Sequence, residues 1–251
     1  MNSKIITRLR VLLNLFHKII NFIFKIIITI TPPELRKNNR TELTELELKI
    51  ENNLAEETFN YFREDFKKSL LFRNIQQIRQ YAIQTSLQND KDQKYYYLEF
   101  GVYKGESANY FSKFVNKLYC FDSFEGLSED WIGTRISKSY FNLERKIPKL
   151  NSNVETIVGW VEDTLDDFLK KHNPKINFVH IDTDTYSPAK FILKKIKPYL
   201  VKNSIIIFDE LYNYQGWRDG EFKALNEVFG KEQFRYKAFT TNADKVVIQI
   251  I

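Results

Sequence analysis

The chain has 251 residues, 43% apolar and 28% charged. That is enough to bury a full core without disulfides or a structural metal, and the mix excludes a disordered chain and an ordinary polytopic membrane protein. The lone Cys120 excludes a disulfide framework within the chain and any cysteine-based zinc cluster, and the net charge of +6 raises the question of where the excess sits.

It sits at the start. Residues 1–33 hold Lys4, Arg8, Arg10, Lys18 and Lys25 and no Asp or Glu, which leaves 33 basic against 32 acidic residues in the rest. The polar positions Lys4, Arg8, Asn14, His17, Lys18, Asn21 and Lys25 recur at the 3.6-residue period within an otherwise apolar run. That predicts an amphipathic helix over 1–31, ended by Pro32 and Pro33. Four readings of it compete. The preferred one is a basic helix lying in an anionic membrane surface. The second is a helix docking on this domain or on a second copy, as in a homodimer. A transmembrane span is disfavoured by the polar and charged residues within the run. A cleaved signal peptide is disfavoured because the charges continue through the apolar region and no small-x-small site follows.

Residues 32–64 read as a linker and a solvated helix, rich in Glu, Lys and Asn. The main domain is expected over 65–251. It opens with an amphipathic helix over 66–88 that sets Leu71, Ile75, Ile78 and Ala82 at helical spacing. After the turn at 89–92, short apolar runs alternate with helical stretches. Strands are expected at 95–100, 117–121, 154–158, 176–181, 204–208, 234–239 and 246–250, and helices at 106–115, 161–172, 188–200 and 221–229. This is an α/β pattern, a mainly parallel sheet covered on both faces. The last two strands have no helix between them and read as a hairpin. The loop over 127–150 is long for a strand–helix connection and reads as part of a lid.

The chemistry-bearing residues fall at strand ends. The first strand runs into Glu99, Gly101, Gly105 and a helix start, where glycine allows close backbone approach to a ligand and the helix presents free amides. The spacing is not the Gly-x-Gly-x-x-Gly of a dinucleotide cradle. Asp122 ends the second strand beside Ser123 and Gly126, as a ribose-gripping acid or as an ordinary Asx-turn. Trp160 follows the third, as a purine-flanking ring or as a core tryptophan. Asp182 and Asp184 follow the fourth strand, and Asp209 and Glu210 the fifth. Four carboxylates at one sheet edge repel and raise one another's pKa, a cost that a divalent cation such as Mg²⁺ removes; the competing reading is separately solvated strand-end acids. His180, inside the strand, reads as a core residue or one that supports a ligand.

The stretches LEFGVYKGESA (98–108), FDSFEGL (121–127), GWVEDTL (159–165), HIDTDTYSPAK (180–190) and FDELYNYQGWRDGEFKAL (208–225) together resemble the class I S-adenosylmethionine-dependent methyltransferases. More closely they resemble the macrocin-type (TylF-like) sugar O-methyltransferases. The resemblance implies a Rossmann-like seven-stranded sheet of order 3-2-1-4-5-7-6 with an N-terminal helical extension. It implies that Glu99, Gly101 and Gly105 wall the cofactor's methionine end, with Tyr103 and Ser107 among the cofactor-binding residues. Asp122 then holds the ribose hydroxyls beside Ser123, and Trp160 and Glu162 contact the adenine. Asp182, Asp209 and Glu210 look like the Mg²⁺ set and Asp184 like the general base, with the roles of Asp182 and Asp184 exchangeable. Where many members carry Asp-Asp, this chain has Asp209-Glu210, which keeps the charge and adds a methylene.

The expected function is methyl transfer from S-adenosylmethionine to a hydroxyl of a sugar, glycan or glycosylated small molecule, in polysaccharide or natural-product biosynthesis. The alternatives are a non-sugar acceptor and a membrane-tethered S-adenosylmethionine-binding protein without turnover. Nucleic acid is excluded as a partner, because the charge outside the tail is balanced and no basic stretch is interleaved with aromatics. The expected location is cytoplasmic, peripheral at the inner face of a membrane if the tail binds there.

Overall fold

A computed structural model describes residues 44–251. The amphipathic helix expected over 1–31 and the linker up to 43 lie outside the described residues. The chain divides into two compact units, and the second, Asn52–Ile251, carries everything described below except the start of the first helix.

Helix α1 (Glu45–Phe66) continues across residue 64, the sequence-derived domain boundary, and its second half is packed. Phe62 is fully buried, with the rings of Tyr212, Trp217, Tyr236 and Phe239 centred 5.3–5.5 Å away. The helix expected over 66–88 is broken. Leu70–Phe72 form a short strand, β1, and helix α2 begins only at Ile75 (Ile75–Asn89). The break has a local cause: the Asn74 side chain accepts from the amides of Gln76 and Gln77 and starts the helix afresh. Leu71, expected on the buried helix face, is 52% exposed.

Five parallel strands follow: β2 (Tyr96–Phe100), β3 (Leu118–Asp122), β4 (Val154–Val158), β5 (Ile176–Ile181) and β6 (Leu200–Phe208). Between them lie α3 (Glu106–Phe111), α4 (Val161–His172) and α5 (Tyr186–Ile196). Helix α6 (Glu221–Val228) leads to the hairpin of β7 (Phe234–Thr240) and β8 (Val246–Ile250). The order is β1-β7-β8-β6-β5-β2-β3-β4. Strand β8 is antiparallel to both its neighbours. The seven expected strands thus occupy the expected order, and β1 is an eighth that pairs in parallel with β7 at the edge.

Alternation along the strands divides the core into two layers. Leu98, Phe100, Val179, Ile181, Ile206 and Phe208 face α1, α4, α5 and α6 through Phe62, Phe168, Leu193 and Leu225. Tyr97, Cys120, Phe178, Ile205 and Ile207 face α2 and α3 through Ile78, Ala82, Ile83 and Phe111. Covered on both faces, the sheet leaves its carboxyl edge as the place for a ligand, as in open α/β sheets generally.

Candidate active site

The register decides what meets at that edge. Phe100 pairs with Phe121 and with Ile181, and Ile181 pairs with Phe208. The residues that follow, Gly101, Asp122, Asp182 and Asp209, therefore fall in one row. Backbone bonds stitch the row beyond the strands: the amides of Gly101, Asp182 and Asp209 donate to the carbonyls of Phe121, Phe100 and Ile181, each at 2.9 Å. Gly101 has φ +88°, and a Cβ there would lie 1.7 Å from the Asp182 carbonyl oxygen. Only glycine lets the two loops pass this closely.

A cavity of about 440 Å³ opens above the row. Of the residues singled out in the sequence, Gly101, Tyr103, Asp122, Ser123, Trp160, Glu162, Asp182, Asp184, Asp209 and Glu210 line it. The loop over 127–150 contributes Leu127, Ser128, Trp131 and Phe141. Glu99, Gly105 and Ser107 are not in its lining. Gly105 is the left-handed residue that starts α3. Glu99 is fully buried beneath the edge and accepts from the Ser107 hydroxyl. Asp122 is mostly occupied: Oδ2 accepts the amides of Val102 and Tyr103 at 2.7 and 2.9 Å, and Oδ1 that of Phe124 at 2.6 Å. A carboxylate has about four acceptor sites, so one remains, on Oδ1, for a ligand hydroxyl.

The acids separate into two electrostatic environments. Asp209 is surrounded by cations: Lys245 Nζ is 2.9 Å from Oδ2, while Arg79 Nη2 and His180 Nε2 are 3.4 and 3.3 Å from Oδ1. Burial alone would raise its pKa, but the His180 hydrogen bond and the Lys245 charge prevail and hold it well below the usual carboxylate range. His180, fully buried in β5, has Nδ1 3.4 Å from Glu99 on its other side. Burial opposes its charge, yet Asp209 and Glu99 outweigh burial and push its pKa up to about 9.

Asp182, Asp184 and Glu210 have no such company. Each offers an oxygen, and these oxygens lie within 4.8 Å of one another. Burial first, then the Asp209 charge, raises all three pKa values, that of Asp184 to about 7. Glu210 Oε2 is buried without a hydrogen-bond partner. A fifth acid supports them. Glu221, fully buried at the start of α6, accepts the Thr183 amide on Oε1 and the Glu210 amide on Oε2, each at 3.3 Å. One side chain thereby ties together the loops after β5 and β6.

Sequence reasoning missed Arg79, Lys245 and Glu221. Arg79 was visible as a charge within the apolar stripe of Ile78, Ala82 and Ile83. Lys245 precedes Val246, which pairs with Phe208, so the expected hairpin and strand order already set residue 245 opposite residue 209.

Residues 98–211 match the family model of a methyltransferase domain. The chain carries a methyltransferase domain. The match begins in β2 and ends just past Glu210, so it takes in the whole row of acids. No curated protein matches the chain in sequence. Among solved structures, the methyltransferase fold here is similar to the calicheamicin methyltransferase CalS11, at 19% identity and a TM-score of 0.57 over 83% of this chain and 94% of that one. An apo structure of CalS11, described as a TDP-rhamnose 3'-O-methyltransferase of calicheamicin biosynthesis, aligns at 17% identity with a TM-score of 0.52 over 82% and 95%. The O-methyltransferase NovP aligns at 18% identity with a TM-score of 0.52 over 69% and 78%. At these identities the likeness is one of fold.

Proposed function

We propose that the methyltransferase domain moves the methyl group of S-adenosylmethionine to a hydroxyl oxygen of a sugar-bearing acceptor, in the manner of the macrocin-type enzymes its motifs resemble. One observation carries this: Asp184 faces both the large cavity and a second, smaller one beside it. The large cavity suits the cofactor, with Gly101 and Tyr103 toward its methionine end, Asp122 toward the ribose and Trp160 and Glu162 toward the adenine. An acceptor hydroxyl in the smaller cavity would reach Asp184 and the sulfonium methyl together. In the transfer the carbon–sulfur bond breaks, the carbon–oxygen bond forms, the hydroxyl proton passes to the Asp184 carboxylate, and S-adenosylhomocysteine leaves. A carboxyl with a pKa of about 7 is matched to that task at neutral pH.

The resemblance also implies Mg²⁺, and the residues fit it. Asp182 and Glu210, the latter with an orphaned buried oxygen, stand in an oxygen-only cluster with Asp184 and suit a hard divalent ion, which leaves Asp184 free to act as the base. The Asp209 charge is met instead by Lys245, Arg79 and His180, so Asp209, expected in the metal set, is better placed to orient that set than to join it. Bound there, the ion would supply Lewis acidity toward an acceptor hydroxyl. The chain's own part is to hold the acids, exclude water beneath the 127–150 loop and accept the proton.

The test is Asp184→Asn, assayed with labelled S-adenosylmethionine over a panel of glycosides with and without Mg²⁺. Turnover should fall by about 10²- to 10⁴-fold while cofactor affinity stays within about twofold. Turnover near wild type would remove Asp184 as the base. We infer separately, from the basic residues and the wide apolar face of that stretch of sequence, that residues 1–31 bring the enzyme to an anionic membrane surface.

A further inference from the structure

We infer that the acceptor presents to the smaller cavity an uncharged, hydroxyl-rich sugar ring, and that no phosphate or nucleoside diphosphate of the acceptor is seated there; this rests on the methyl-transfer reading above. The cavity measures about 300 Å³, at the small end of ligand sites, and suits one monosaccharide. Trp131, Tyr186 and Tyr214 supply aromatic walls. Trp131 and Tyr214 meet edge to face at 5.6 Å. The Trp131 Nε1 and the Tyr214 hydroxyl are both buried and interact with each other. Aromatic surface beside carboxylate oxygens matches a pyranose, whose C–H face is apolar and whose rim is hydroxyl.

The charges decide against phosphate. Among the described residues every charged side chain lining the cavity is an acid: Glu129, Asp130, Asp184 and Asp219. Carboxylates accept hydrogen bonds from hydroxyls and repel a phosphate at close range. The natural phosphate seat, the free N-terminus of α5, is already filled. Glu129 accepts the Ser187 amide on Oε1 and the Ser187 hydroxyl on Oε2, each at 2.9 Å. Two lysines stand against Tyr186 at the rim of the cavity, where Lys190 Nζ donates to the Tyr186 hydroxyl at 2.7 Å, and each is already beside an acid. Lys190 Nζ is 2.7 Å from Glu227, and Lys223 Nζ is 4.8 Å from the centre of the Tyr186 ring and 4.0 Å from Asp219.

The test uses the full chain saturated with S-adenosylhomocysteine. Matched probes of several hexoses and 6-deoxyhexoses, each as the methyl glycoside, the 1-phosphate and the nucleoside diphosphate, are compared by saturation-transfer NMR. For the best-binding sugar, the glycoside should bind at least about tenfold more tightly than either charged form, and Asp219→Lys should shrink that ratio by about threefold or more. The inference is overturned if a charged form binds as well as the glycoside, if the ratio is unmoved by Asp219→Lys, or if no form binds. Glycosides that bind with the expected preference but are never methylated support this inference and count against the methyl-transfer reading alone.

Discussion

At the scale of single residues, the site works by giving neighbouring carboxylates different surroundings, and Glu221 is where that arrangement is most exposed to test. It lines neither cavity, yet it accepts one amide from the loop of Asp182 and Asp184 and one from Glu210. Glu221→Ala would free both loops, and misplacement of about 1 Å costs about 10²-fold in rate. Turnover should fall by that order, with S-adenosylmethionine affinity within about twofold by calorimetry. Glu221→Gln, which keeps an acceptor oxygen, should recover part of the loss. Equal turnover in the alanine variant and the wild type would show that Glu221 positions nothing. His180 gives a pH prediction with a definite sign. Its folded pKa of about 9 lies above its unfolded value, so its contribution to stability is fully present below about pH 6.5 and is lost as pH rises through about 9. Urea unfolding from pH 6 to 10 should show this decline, on the order of 3 kcal/mol, and His180→Gln should flatten it. The acids were legible in the sequence because strand ends mark them. Their unlike pKa values were not, because the cations that divide them come from α2 and from the residue before β8.

At the scale of elements, the apolar runs located the strands well, since a strand buried on both faces leaves a continuous apolar signature. Strands β4, β5 and β8 begin and end where the periodicity places them. The region before β2 was harder to read. Leu71, Ile75, Ile78 and Ala82 keep helical spacing, but spacing cannot show that Asn74 caps a new helix or that Leu70–Phe72 complete the edge of β7, where the Thr241 amide donates to the Phe72 carbonyl at 2.8 Å. The long loop over 127–150 stands where a lid is expected, and its seat is specific. Gly133 has φ +84°, and a Cβ there would lie 1.7 Å from the Gln215 carbonyl oxygen. Gly133→Ala should therefore lift the loop from the segment after β6 and displace Trp131, which borders both cavities. Acceptor KM should rise by about tenfold, and trypsin should cut faster at Arg135 and Lys138, with the melting temperature little changed. Unaltered acceptor KM together with unaltered cleavage would mean that the loop does not depend on this contact.

At the scale of the whole molecule, charge and chemistry occupy different parts of the chain. Residues 1–33 carry five of the six net charges, while the rest is nearly neutral. Among the described residues the site is dominated by acids. Among the described residues no helix is long and apolar enough to cross a membrane, and the proposed surface anchor is the tail. Five basic residues at an anionic surface attract it with about 1 kcal/mol each, and salt weakens the attraction within a Debye length of about 10 Å at 0.1 M. The full chain should therefore pellet with phosphatidylserine-containing vesicles at low salt and release as salt rises. A full-length variant with Lys4, Arg8, Arg10, Lys18 and Lys25 all changed to Gln should stay largely in the supernatant while methylating a soluble acceptor at the wild-type rate, since the five lie outside residues 98–211, which match the methyltransferase domain. If the wild-type chain remains in the supernatant at low salt, the membrane reading fails and the apolar face of the tail must be satisfied by protein. If the variant pellets as well as the wild type, the apolar face alone drives binding, and the excess charge has another purpose.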